Sequence, residues 1–356
     1  MLNRIIQDIM PVDKTHISRA QMHLDNLTKP RGSLGRLEEL GARLYAINDG
    51  QNPVVDPGMV YTCAADHGVA RSGVSLFPQS VTRQMVQNFL SGGAAVNILA
   101  RKAGLLLKVV DVGVLGQEFP GHDLLVSNKI RQGTDDLSCG PAMSETECLE
   151  AVELGVKLSF DAHEKGIRTL CTGEMGIGNT TASTALFCAF LGHSPVELAG
   201  AGTGLGPDGI RVKAEVIARG LQANAGAVTS HIPQKILAAL GGLEIACLTG
   251  IILGGAYKRM NVVIDGYIST AAYLCAWKMN SYVMDYCFFS HLSAEKGHAA
   301  VLKAIDAKPV LNMDMRLGEG TGAAMAFFVL KCAAGIFNEM ATFDRAGVSR
   351  QCKKEV

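Results

Sequence analysis

Residues 167–183 read Ile167-Arg168-Thr169-Leu170-Cys171-Thr172-Gly173-Glu174-Met175-Gly176-Ile177-Gly178-Asn179-Thr180-Thr181-Ala182-Ser183. The opening run, 167–174, is short and mostly apolar or β-branched, without strict polar alternation. That is the pattern of a strand covered on both faces. Gly173, Gly176 and Gly178 then allow a tight turn, and a helix is expected to begin near Asn179. Strand, glycine turn and helix together form the unit from which parallel sheets are built.

Working outward, the same unit recurs. Residues 59–65 and 106–113 read as strands, with a helix expected over 81–103 between them. A helix over 145–165 leads into the opening stretch. Helices over 207–223 and around Glu244 precede a strand at 261–266, a helix at 270–277 and a mostly apolar run, 282–290, read as a strand. Residues 17–27 and 34–47 carry apolar residues at three- and four-residue spacing and read as helices. The expected fold is α/β, with a mostly parallel sheet flanked by helices. In such folds ligands gather at the carboxyl ends of strands, where every glycine-plus-polar cluster of this chain falls. A helix over 323–340 is expected to join the N-terminal helices in a small lobe. The organisation is therefore 1–50 for the first part of that lobe, 51–322 for the large domain and 323–356 for its completion.

The composition narrows the function. The chain has 356 residues, 48% hydrophobic and 19% charged, with 40 glycines. Lys plus Arg and Asp plus Glu both number 33, so no excess of positive charge favours nucleic acid or an anionic membrane. Ten cysteines are scattered with no pair closer than nine positions, and no Cys-x-x-Cys exists. Scattered thiols in apolar surroundings suit a reducing compartment, and the N-terminal stretch lacks the features of a signal peptide, so a cytoplasmic protein is expected. Residues 236–257 approach a membrane-spanning length, but Glu244 would cost roughly 2.5–3.5 kcal/mol at the bilayer centre. Five glycines also interrupt the run, and two buried helical pieces are expected instead.

Several clusters carry chemistry. In Met315-Arg316-Leu317-Gly318-Glu319-Gly320-Thr321-Gly322, a lone carboxylate stands between two glycines before a helix. It is placed either to move a proton or to sit favourably against a helix dipole. The turn 173–179 suits a phosphate at a helix N-terminus or a simple capped helix. It is neither a P-loop nor a dinucleotide fingerprint. Gly200-Ala201-Gly202-Thr203-Gly204 is a second glycine loop, with Lys213 on the helix after it. Lys213 reads as a phosphate partner or as a solvated lysine. His291, Glu295 and His298 have helix-compatible spacing, but no matching ligand set accompanies them, so no metal is expected. Ser293 suits a hydrogen bond to a ligand. Asp66-His67 lies at a strand end, but no Gly-x-Ser-x-Gly elbow accompanies it.

Four motifs, taken together, carry a resemblance: Lys29-Pro30-Arg31-Gly32-Ser33-Leu34-Gly35-Arg36-Leu37-Glu38, Ala65-Asp66-His67-Gly68-Val69, the 173–181 turn and the 315–322 turn. Gly140-Pro141-Ala142-Met143 and Ser290-His291-Leu292-Ser293-Ala294-Glu295-Lys296-Gly297 agree with them. Over nearly its whole length the chain resembles the nicotinate-nucleotide–dimethylbenzimidazole phosphoribosyltransferase family. The resemblance implies transfer of phosphoribosyl from nicotinate mononucleotide to 5,6-dimethylbenzimidazole, with inversion to α-ribazole 5′-phosphate, for the lower nucleotide of cobalamin. It implies no cofactor or metal, and a homodimer with a Rossmann-like large domain and a small helical domain. By motif, Glu319 is implied as general base. Glu174, Gly176, Gly178, Asn179 and Thr180 are implied at the nucleotide, with Gly202, Gly204 and Lys213 at its phosphate and Ser293 facing it. Leu317 and Gly318 flank the base, and Phe77, Pro78 and Met85 wall the flat acceptor ring. Phe77 stands where relatives can carry a smaller polar residue, which bears on the choice of base. A nucleotide hydrolase and a non-catalytic nucleotide sensor are the competing readings of the same residues.

Overall fold

The computed structural model describes residues 2–349. Cys352 and the end of the 323–356 segment lie outside the described residues. The main sheet has six strands, all parallel: β1 (Gly58–Ala65), β2 (Leu106–Gly113), β3 (Leu125–Ser127), β4 (Thr169–Met175), β5 (Asn261–Ile264) and β6 (Cys287–Phe289). Their order across the sheet is β3-β2-β1-β4-β5-β6. The connections therefore run outward in opposite directions from β1 and β4, and a crevice opens between the carboxyl ends of these two strands. The expected α/β class holds. The central strands are buried along nearly their whole length, so their sequences need no polar alternation.

Two expectations need correction. The run 282–290 is not one strand. Residues Ser281–Tyr286 form a 3₁₀ helix, and only Cys287–Phe289 pairs with the sheet. The Asn280 side chain caps the turn by accepting the Tyr282 N–H at 2.8 Å, and the Asp285 carboxylate accepts the Val12 N–H at 3.0 Å. These polar groups hold the segment in a turn despite its apolar composition. The helix expected over 81–103 is two helices, Ser80–Leu90 and Ala95–Ala103. Gly92 takes φ +78° at the break, and Asn97 closes it by accepting from Ala94 N–H and donating to the Phe89 carbonyl. The Gly92-Gly93 pair marks this break in the sequence.

The 236–257 run is indeed two buried helical pieces, Pro233–Leu240 and Leu243–Tyr257. The second packs along the helix Glu145–Glu164 so closely that backbone meets backbone at Gly155 and Gly250. A Cβ on Gly155 would lie 1.9 Å from the Cys247 carbonyl oxygen, and one on Gly250 would lie 1.9 Å from that of Val152. Neither helix can yield locally, so Gly250→Ala is expected to destabilise the protein by about 1–3 kcal/mol or more. A denaturant midpoint equal to that of the unaltered chain would contradict the contact.

The helix Thr321–Glu339 is the one described helix both long and apolar enough to cross a membrane. More than half of its apolar window is buried within the fold, where it packs on the helices Arg36–Ile47 and Ala95–Ala103. Phe337 near its end joins Ala20, Leu24, Leu27 and Ala42 in a small cluster apart from the main core.

Candidate active site

β1 is followed by Asp66-His67 and β4 ends in Glu174-Met175 before Gly176, and a cavity of about 390 Å³ lies at that end of the sheet. Glu319 lines it, with Glu174, Met175, Ile177, Leu317 and Gly318. The Glu319 turn is built from several directions. Its N–H donates to the Glu174 carbonyl at 3.2 Å, and its own carbonyl accepts from the Thr62 hydroxyl at 2.8 Å. The Asp265 carboxylate accepts from Gly320 and Ala323 N–H at 3.1 and 2.8 Å, capping the helix that follows. Glu319 itself takes φ +65°, a left-handed conformation rare for a residue with a side chain. Of the non-glycine residues described in that region, Glu319 alone is buried.

Burial dominates the carboxyl groups around this turn. Glu319 is only 4% exposed, and its Oε2 has no hydrogen-bond partner. Burial raises its pKa above the ordinary value, opposed by the backbone N–H of Val96. Burial, followed by the nearby Asp265 and Glu244 charges, holds Glu174 well above the usual range, although the Asn179 amide donates to it. Burial pushes Asp265 up to about 7 despite its backbone donors. A carboxylate with a raised pKa and room beside it is equipped to accept a proton near neutral pH.

A polar region adjoins them. Lys213 is fully buried, and its ammonium donates to Thr180 Oγ1 at 2.7 Å and to the Gly200 carbonyl at 3.4 Å. Burial lowers its pKa to about 8. Gly202 passes so near that a Cβ there would lie 3.1 Å from Lys213 Nζ. Glu295 accepts the Gly202 N–H through both oxygens, and Ser293 Oγ accepts from Glu295 N–H. Arg316 reaches from the Glu319 turn to donate to the Gly202 carbonyl at 3.1 Å. Glycine loop, buried ammonium and helix start together form a site suited to a phosphate.

The opposite character appears on the helix Ser80–Leu90. Val81 and Met85, one turn apart, face the cavity with Phe77, Met175 and Leu317. Thr82 ties this wall to the 173–179 turn by accepting the Ile177 N–H at 3.1 Å. Ser75 and Leu76 are joined to Thr203 through its hydroxyl. Phe77 remains half exposed at the mouth.

Of the residues singled out from sequence, Glu319, Glu174, Gly176, Asn179, Thr180, Gly202, Ser293, Leu317, Gly318, Phe77 and Met85 line one cavity. Lys213 lies behind Thr180 and Gly202. Gly178 caps the helix Asn179–Leu191 with φ +99°, Gly204 turns beneath Leu76 with φ +116°, and Pro78 accepts the Val81 N–H. These four are not on the cavity wall. Thr203, Tyr267 and Ile268, not singled out from sequence, also line it, as does His291, weighed from sequence only as a metal ligand. The first sits inside the quoted glycine loop. Tyr267 and Ile268 carry no local signal, because an aromatic or aliphatic residue in an apolar run usually belongs to a core. His298 uses both ring nitrogens internally, with Ser293 N–H and Thr270 Oγ1. Among the described residues no group of three or more His, Cys, Asp or Glu is arranged to hold a metal.

Comparison with known proteins gives the family. A family model described as "Phosphoribosyltransferase" matches residues 9–348. The chain belongs to this phosphoribosyltransferase family. It is 55% identical over 348 residues to the nicotinate-nucleotide–dimethylbenzimidazole phosphoribosyltransferase of Oleidesulfovibrio alaskensis, covering 98% of this chain and 97% of that one. The enzyme of the same name from Solidesulfovibrio magneticus is 53% identical, covering 98% and 99%. The crystal structure of CobT from Thermus thermophilus superimposes with a TM-score of 0.89 at 44% identity, covering 95% of this chain and all of that one. The chain is thus an enzyme of the phosphoribosyltransferase family, acting on small molecules.

Proposed function

We propose that this phosphoribosyltransferase moves the phosphoribosyl group of nicotinate mononucleotide to 5,6-dimethylbenzimidazole or a related base. The observation that carries this reading is Glu319: a buried carboxyl group with one oxygen left without a partner and a raised pKa, in a cavity that also has an apolar wall and a polar, lysine-backed region. The apolar wall suits a flat aromatic acceptor, and the polar region suits the nucleotide phosphate. In the reaction an unprotonated ring nitrogen of the base attacks C1′ of the ribose. The C1′–N bond to the pyridinium breaks, its electrons return to the ring nitrogen, and nicotinate departs. The N–H proton of the attacking base passes to Glu319. Attack opposite the leaving group converts the β to the α configuration and yields α-ribazole 5′-phosphate. The relatives' names support this choice of substrates.

Product identity tests it. With nicotinate mononucleotide and base, nicotinate and α-ribazole 5′-phosphate are expected in equal amounts. Nicotinate released equally fast without any base would make the protein a hydrolase, and no turnover under either condition would make it a sensor.

The wall also predicts base preference. Phe77, Val81 and Met85 hold an aromatic ring by stacking and dispersion. Purines carry extra ring nitrogens that lose their water without gaining partners there. Dimethylbenzimidazole is expected to outcompete adenine, and Phe77→Ser is expected to narrow that preference several-fold, since each methyl contact is worth only about 1–3 kcal/mol. Competition between mixed bases, read by mass spectrometry, gives the ratio. An unchanged ratio in Phe77→Ser would remove Phe77 from base selection.

A further inference from the structure

His291 is buried in the cavity wall, 1% exposed, between two glycines that leave room for its ring. A Cβ on Gly322 would lie 2.0 Å from Nδ1, and one on Gly266 would lie 3.1 Å from Cε1 and 3.4 Å from Nε2. Its tautomer follows from its neighbours. Ser290 Oγ lies 2.6 Å from the Asp265 carbonyl oxygen, which has no proton to give, so the serine hydroxyl donates there. Ser290 Oγ also lies 2.8 Å from His291 Nδ1. With its single proton committed to Asp265, the hydroxyl can only accept, and Nδ1 carries the hydrogen. In the neutral ring Nε2 is then a bare acceptor. Burial lowers the His291 pKa, which keeps the ring neutral. No hydrogen bond of Nε2 is seen among the described residues, and His291 lines the cavity, so a ligand donor there would find a free acceptor.

The position of the ring narrows the donor it is built for. On one side stands the Glu319 turn, through Gly322. On the other stand Gly266 and Ser293, leading to Glu295 and Gly202. The nucleotide of the proposed function offers few donors. Its phosphate loses its last proton near a pH of about 6, and its nicotinate carboxylate only accepts. The incoming base gives its N–H to Glu319. The ribose hydroxyls remain, and the ribose joins the phosphate to the reacting centre. We propose that His291 reads the ribose: its Nε2 accepts a hydrogen bond from the 2′- or 3′-hydroxyl of the bound nucleotide, and Ser290 fixes the tautomer that allows it. This assignment rests on the proposed function and goes beyond it in giving the sugar a dedicated acceptor.

The test compares nicotinate mononucleotide with its 2′-deoxy and 3′-deoxy analogues on the full-length protein, by calorimetric Kd and by kcat/KM. Comparing the same substrates on each variant cancels their differing intrinsic reactivity. The unaltered protein is expected to bind one deoxy analogue at least about tenfold more weakly than the parent, the equivalent of about 1.4 kcal/mol. His291→Phe keeps a flat ring but has no lone pair, and there the parent and that analogue are expected to bind within about threefold of each other. Ser290→Ala frees the tautomer and is expected to shrink the same ratio. It carries the test if His291→Phe fails to fold. A deoxy ratio unchanged in the folded variants, or no deoxy discrimination by unaltered protein that binds the parent, overturns the assignment. Failure of the unaltered protein to bind or turn over nicotinate mononucleotide would overturn the proposed function and this assignment with it. Normal turnover with an unchanged ratio overturns the His291 assignment alone.

Discussion

Glu319→Gln is expected to lower turnover by about 10²–10⁴-fold while leaving nicotinate mononucleotide affinity close to normal. Glutamine fills the same space but cannot take the proton of the attacking base. The substitution should also make the protein more stable at neutral pH. Burial raises the Glu319 pKa, so its ionised form is disfavoured in the fold. Its contribution to stability is complete below the unfolded carboxyl value of about 4.3 and is lost as pH rises through the higher folded value. An uncharged amide removes that loss. The activity of the unaltered enzyme should therefore fall on the acid side at a pH above the ordinary glutamate range, and this limb should vanish in the variant. Lower activity combined with a higher Tm separates a lost base from a damaged fold. Near-normal turnover in Glu319→Gln would remove Glu319 from the mechanism.

Lys213→Met is the second large effect. Lys213 Nζ bonds Thr180 and the Gly200 carbonyl beside Gly202. A charge-assisted hydrogen bond is worth about 1.5–3 kcal/mol, so the nucleotide should bind roughly 10- to 100-fold more weakly. Free benzimidazole should be nearly unaffected. Methionine keeps most of the buried volume, which limits the loss of packing. The free enzyme's Lys213 pKa of about 8 adds a signature. The ammonium is charged below that pH, so nucleotide affinity should decline as pH rises above it, and the methionine variant should lack the decline. Equal weakening of nucleotide and base would show that Lys213 acts through the fold.

The legible parts of the fold were those with local causes. β1, β2, β4 and β5 announce themselves as apolar runs because the sheet is covered on both faces. The helix Pro207–Ala223 begins at a proline suited to the first helical turn, and its expected bounds match. The helix Glu145–Glu164 opens with a Ser144–Glu147 capping box. The run 282–290 misled because its conformation depends on Asn280 and on Asp285 reaching the distant Val12. The Gly92-Gly93 break was available in the sequence, but the apolar spacing on either side masked it.

The site divides in the same way. The sequence alone determined that glycine turns follow the strands and that Glu319 stands between two glycines. Turn chemistry and hydrophobic period are properties of neighbouring residues, so they can be read without the fold. Spacing along the chain does not bring Met85, Glu174, Ser293 and Glu319 together; the tertiary structure lines one cavity with them and sets Lys213 behind it. It also turned Lys213 from a residue readable as solvated into a fully buried ammonium, raised the carboxyl pKa values, and gave His291 its tautomer. Each of these depends on which groups from distant strands exclude water from a side chain or share its proton. Desolvation and hydrogen-bond partnership are set by the packed neighbours in space, which order along the chain does not specify.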